Sequence, residues 1–139
     1  MGAAQAALCC LALAMLVGCA TPAPMSGPGA PAPDSFAGEP VDDVRFARLI
    51  EWRPVDRDHL MLRFDRNRYV LVEPMDPCFA NLREAEGMRL VQSVSNRLHI
   101  SDRLLIDGRE CRIVSIRPFY FVEWATAVSE AAQDDSGGM

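Results

Sequence analysis

The 139 residues contain no lysine; all 14 basic positions are arginine. Arginine fills any surface role that lysine fills, so this absence reads as coding bias. No charged residue precedes Asp34. The formal net charge is -5, which argues against nucleic-acid binding, where a basic stripe is expected, and mainly supports solubility. The signatures of several enzyme classes are missing as well. There is no GxSxG, no P-loop and no HExxH. Without CxxC, redox catalysis has no motif. Asp56 and Asp58 resemble a piece of a calcium loop, but the glycine and terminal glutamate of an EF-hand are missing. No solenoid-type repeat occurs.

What is present begins with residues 6–17, AALCCLALAMLV. This run fits the apolar region of a signal peptide, roughly 7–15 residues long. It falls short of the roughly 20 apolar residues of a membrane-spanning helix. Leu16-Val17-Gly18-Cys19 follows and resembles the bacterial lipobox. That resemblance implies cleavage before Cys19, leaving residues 1–18 as the signal peptide and a diacylglycerol on the Cys19 sulfur. One feature departs from the pattern: MGAAQ lacks the positive side chain expected ahead of the apolar run. N-myristoylation is disfavoured because Ala6 stands where Ser or Thr is needed. Two or more acyl chains make anchoring stable, at about 0.8 kcal/mol per buried CH₂. Ala20 stands where many lipoproteins retained at the inner membrane carry Asp. The expected location is therefore the outer membrane, facing the periplasm.

Residues 19–40 form the lipidated cysteine and a Pro/Gly-rich linker, expected to lack a packed core. At about 3.1 Å per residue, such a linker reaches roughly 60 Å. The folded domain is expected over residues 41–124, with a helical or mobile tail over 125–139. Its pattern is mostly of period two. HLMLRF (59–64) and RYVLVE (68–73) suggest a hairpin that sets Phe64 opposite Tyr69, Leu62 opposite Leu71 and Asp65 opposite Arg68. Asp107-Gly108 predicts a two-residue turn that pairs Leu104 with Cys111 and Ile106 with Arg109. Leu104, Ile106, Cys111 and Ile113 then face the core, while Leu105, Val114 and Ile116 face away. VRFARLIEW (44–52) reads as a strand with Phe46, Ile50 and Trp52 on one face. Residues 78–84 read as a short helical turn and 88–94 as a strand. Residues 120–133 suggest a terminal helix, with Phe119, Tyr120, Phe121 and Trp124 packing on the sheet. The expected fold is mainly β: a small antiparallel sheet, barrel- or sandwich-like, with one or two short helices.

Five cysteines occur: two in the signal, Cys19 at the lipobox, and Cys78 and Cys111 in the domain. An even pair in an oxidising compartment predicts one Cys78–Cys111 disulfide. Closing a loop of about 34 residues contributes about 4 kcal/mol in the chain-entropy account. His59, Cys78, His99 and Cys111 match a zinc set in number but not in spacing, so no metal is expected. His59 beside Asp58, and His99 near Asp102, could serve general acid–base chemistry. The blander reading makes one a loop-to-strand junction and the other a strand residue.

Trp52, YVLVE, Pro77-Cys78-Phe79 with Leu82, Asp102–Ile106 and C-R-I-V-S-I (111–116) together resemble a family of small proteobacterial lipoproteins, domain of unknown function 6491. The resemblance covers roughly residues 44–118. It implies a secreted lipoprotein with a cysteine pair, and it supplies no reaction, ligand or catalytic residue. The expectation is a membrane-tethered, non-enzymatic envelope module without cofactor. Its partner would be an envelope protein or other envelope component. The alternative is a small-ligand binder or hydrolase-type enzyme using His59, His99 and nearby carboxylates.

Overall fold

The computed structural model describes residues 29–76 and 78–137. The signal segment and Cys19 lie outside the described residues. Eight strands are described: β1 (Asp43–Arg45), β2 (Leu49–Pro54), β3 (Leu60–Phe64), β4 (Arg68–Pro74), β5 (Met88–Val91), β6 (Arg97–His99), β7 (Arg103–Ile106) and β8 (Arg109–Pro118). A 3₁₀ turn over Cys78–Glu84 links β4 to β5, and helix α1 spans Phe121–Ser136. Six strands form one antiparallel sheet in the order β2-β3-β4-β8-β7-β5, curled into a nearly closed barrel, while β1 and β6 pair as a separate ribbon. The long β8 makes this possible. Its first half pairs with β7 and its second half with β4. The fold is thus mainly β and barrel-like, as the alternation implies.

Both hairpins form, but only one has the register read from sequence. Asp107 and Gly108 both have positive φ (48° and 83°), as a type I′ turn requires, and Leu104 pairs with Cys111 and Ile106 with Arg109. The other hairpin is one residue out of the expected register. Phe64 pairs with Arg68, Leu62 with Val70 and Leu60 with Val72, around a three-residue loop. Asp65 opens that loop in the left-handed region, at φ 55°. Its Oδ1 accepts the backbone N–H groups of Ala47 and Arg48, both at 3.1 Å, and its Oδ2 accepts from Arg68 at 3.0 Å. The opposite-charge pair exists, but inside the turn. A one-residue slip reverses the faces. Leu60, Leu62, Phe64, Val70 and Val72 therefore fill the barrel, and Met61, Leu71 and Tyr69 face outward.

Two bulges correct two further assignments. β2 carries one extra residue, Ile50, between Leu49 and Glu51, which leaves Ile50 exposed while Leu49 and Trp52 pack on the core. β8 carries Val114 as an extra residue opposite the Glu73–Pro74 step. Val114 is exposed, and Ile116, expected on the outer face, turns fully into the barrel. Residues 44–52 are also two strands rather than one. The strand expected over 88–94 stops at Val91.

A second apolar cluster lies on the outside of the barrel. Val55, Met61, Leu71 and Phe119 pack with Trp124 and Val128 of α1. Phe121, Trp124, Ala125 and Val128 recur at helical spacing, so α1 lays one face on the sheet. Burial of Phe119 and Trp124 bears out their reading as core; Tyr120, by contrast, is exposed. Part of the segment read as linker is folded onto this cluster. Pro33 is buried, and Ala30, Phe36 and Ala37 pack there. The Trp124 indole N–H donates to the Pro31 carbonyl at 3.1 Å. Gly38 N–H donates to Pro118 O, and Val41 N–H to Ile116 O, each at 2.8 Å. The segment is thus tied to β8 through its own N–H groups and to α1 through a carbonyl.

Candidate functional site

Of the residues singled out in the sequence, His59 has the richest surroundings. It ends the turn between β2 and β3 and is buried. The turn is shaped by Asp56, whose Oδ1 accepts the backbone N–H groups of Asp58 at 2.8 Å and His59 at 2.7 Å. The same carboxylate takes the ring Nδ1–H of His59, at 2.9 Å from both oxygens. The partner is thus Asp56, not the adjacent Asp58. Across the ring, Nε2 lies 3.4 Å from Oδ1 of Asp34. Asp34 also accepts from Arg117 Nη1 at 2.9 Å, and Arg117 Nε donates to Gly38 O at 2.8 Å.

Electrostatics follow from this geometry. Burial works to depress His59, but the hydrogen bond to Asp56 and the charges of Asp56, Asp34 and Glu73 outweigh it and raise the imidazole above its ordinary value. Burial likewise works to raise Asp56, and the His59 and backbone hydrogen bonds overcome it and lower it. When protonated, the ring lies between two carboxylates, hydrogen-bonded to Asp56 and 3.4 Å from Asp34. Such a ring acts as a clasp. It ties Asp34, in the segment that precedes the barrel, to the β2–β3 turn.

His99 is engaged differently. Its Nδ1 accepts the Ser101 N–H at 3.1 Å and lies 2.7 Å from Ser101 Oγ. Asp102 does not reach that ring. Its buried carboxylate accepts from Ser93 N at 3.0 Å, Ser93 Oγ at 2.8 Å and the backbone N–H of His99 at 2.8 Å. Burial would raise Asp102, but these bonds hold it below its ordinary value. Asp102 therefore organises the loop between β5 and β6.

Cys78 and Cys111 form a disulfide, with Cα atoms 6.1 Å apart, that joins the 3₁₀ turn to β8. The sulfurs of the four-residue zinc-like set are thereby bonded to each other. Among the described residues no group of three or more His, Cys, Asp or Glu side chains could hold a metal ion. Sequence reasoning missed Asp34 and Arg117. One signal was available: Asp34 is the first charged residue in the chain, set in a Pro/Gly-rich stretch whose one other charge is Glu39.

No curated protein and no solved structure is similar enough to this chain to count as a match. A family model does match, over residues 3–135, nearly the whole chain. The chain accordingly belongs to the Family of unknown function (DUF6491).

Proposed function

We propose that the chain is a lipid-anchored protein of the cell envelope, attached through Cys19, whose β domain is a non-enzymatic binding module. The Cys78–Cys111 disulfide carries this reading. Structural disulfides persist in oxidising compartments, and this one accounts for both cysteines of the domain. Cys19 is then the one cysteine left outside both the apolar run and the disulfide, at the end of L-V-G-C. Ala20 after it favours the outer membrane, facing the periplasm.

Both ring nitrogens of His59 are engaged by carboxylates of its own chain, which suits a clasp better than proton transfer to a substrate. The partner would be an envelope protein or other envelope component, added along the edge strands β2 or β5. A second reading, a ligand binder or hydrolase-type enzyme, draws on the Asp56–His59 pair, which has the geometry of a base and its orienting group.

The test is the intact mass of membrane-extracted protein, alkylated without reductant. A mass starting at Cys19 with added acyl groups, and no alkylation, is the expected result. A mass that keeps residues 1–18 refutes the anchor. For the second reading, a His59→Ala/His99→Ala double variant that still folds and retains full function in cells would remove it.

A further inference from the structure

The register of the β1–β6 ribbon puts Arg45 directly opposite Arg97. Their inner neighbours, Val44 and Leu98, pack on the core, so the two arginines share the outer face. Like charges directly opposite each other destabilise a strand pair. Among the described residues no carboxylate pairs with both. Asp43 comes only within 3.9 Å of Arg97 Nε, and that buried nitrogen has no hydrogen-bond partner. Arg45 has no ion pair or hydrogen bond from its side chain among the described residues.

A third arginine, Arg68 at the start of β4, borders the same space. Arg68, Arg45 and Arg97 line one open cavity of about 570 Å³, with Phe46 also in its wall and Ser95 and Asn96 at the β5–β6 loop. Among the described residues no carboxylate lines it, on a chain whose net charge is -5. Arg68 does pair with Asp65, but that carboxylate already accepts two backbone N–H groups. The loop is braced. Asn96 turns through φ 61° and its carbonyl accepts Phe46 N–H at 3.0 Å, while Gln92 Nε2 donates to Arg97 O at 2.6 Å.

We propose that this cavity binds a phosphate-bearing small molecule. Guanidinium forks match phosphate oxygens in geometry and charge. An anion between Arg45 and Arg97 turns their repulsion into two attractions. The volume lies in the range of about 300–1,000 Å³ common for small-molecule sites, which leaves room for more than bare phosphate. Ser95 and Asn96 offer hydrogen bonds to hydroxyls, and Val94, exposed in the same wall, offers an apolar surface. Glycerol phosphate, free or as the headgroup of a phospholipid, has this chemistry. The site stands independently of the anchor at Cys19, so failure of the mass test leaves it untouched.

The experiment is calorimetric titration of the full chain in nonionic detergent with inorganic phosphate, glycerol 3-phosphate, glycerol and dihexanoyl phosphatidic acid. Glycerol 3-phosphate should bind, phosphate more weakly, and glycerol not at all. Affinity should fall as salt is raised. Arg45→Ala and Arg97→Ala should each weaken binding at least tenfold. Arg89→Ala, an exposed arginine on β5 outside the cavity wall, should leave it unchanged. Without phosphate, Arg45→Ala should melt no lower than the parent protein; with glycerol 3-phosphate it should lose the parent's upward shift in Tm. Tighter binding of dihexanoyl phosphatidic acid than of glycerol 3-phosphate would assign a lipid source, and equal or weaker binding a free one. Absence of binding by every phosphate probe overturns the proposal. So does parent-like affinity in both arginine variants, or an equal loss in Arg89→Ala.

Discussion

Replacing Cys78 and Cys111 together by alanine should cost this protein a large part of its stability. The cross-link spans 33 positions and ties the 3₁₀ turn to the middle of the sheet. For a closed loop of that length the chain-entropy account gives about 3.7 kcal/mol at 25 °C. Both side chains are buried and belong to the barrel core, so some packing is lost too. Small domains have about 5–15 kcal/mol in total. With a urea m-value of about 1.5 kcal/mol/M, the midpoint should fall by about 2.5 M. The double variant avoids the stray thiol that a single change leaves. Urea unfolding followed by tryptophan fluorescence is a suitable assay, because Trp124 is fully buried and Trp52 partly so. Reducing the parent protein should lower the midpoint comparably. A fall of less than about 0.5 M in both experiments would refute the claim that the cross-link limits the unfolded chain.

The remaining predictions concern the clasp and the loops. His59 is raised, so its stabilising contribution is complete below pH ~6.5 and is lost as pH climbs through the higher folded value. Asp56 is lowered, so its share is present above its ordinary value and disappears as pH falls through the folded one. His59→Gln should flatten the alkaline decline in urea midpoint between pH 6 and 9; an unchanged slope counts against the clasp. Asp102→Ala strands three donors and should cost about 2–3 kcal/mol by urea unfolding, more than Asp102→Asn. Trp124→Ala should cost about 3–5 kcal/mol and should speed amide exchange at Gly38 and Val41, the two N–H donors that tie the entry segment to β8. Exchange there as slow as in the parent would mean that the segment holds without α1.

Legibility differed from one hairpin to the next for a physical reason. A type I′ turn needs two left-handed residues, and Asp107-Gly108 advertises it, so the β7–β8 register was readable. Asp65 takes up the left-handed conformation with help from Ala47 and Arg48, which are distant in sequence. No local signal reports such help, and the pairing read by symmetry slipped by one. The bulges at Ile50 and Val114 were invisible because an apolar residue in an alternating run reads the same whether or not the alternation breaks. Phe119 and Trp124 were readable as core, since their bulk has few other places to go, whereas Tyr120 beside them faces solvent. The clasp depended on Asp34 meeting His59 across a segment whose composition argued for no packing at all.

That last misreading has consequences for how the domain would hang from a membrane. A linker extending freely to residue 40 reaches roughly 60 Å from Cys19. With residues 30–40 held against β8 and α1, only nine residues separate Cys19 from the described chain, and the reach falls to about 30 Å. The hold is distributed over the His59–Asp34 contact, the Arg117 bonds and the Trp124 indole. These lie at the end of β3 that begins with Leu60. The arginine cavity lies beyond the other end, where Phe64 pairs with Arg68. Five strand residues separate the two, on the order of 15 Å. Were the domain anchored through Cys19, a tether of about 30 Å would exceed that separation, so the cavity could reach either the surrounding solution or the anchoring leaflet. Releasing the clasp would lengthen the tether back toward about 60 Å and loosen the position of the cavity further.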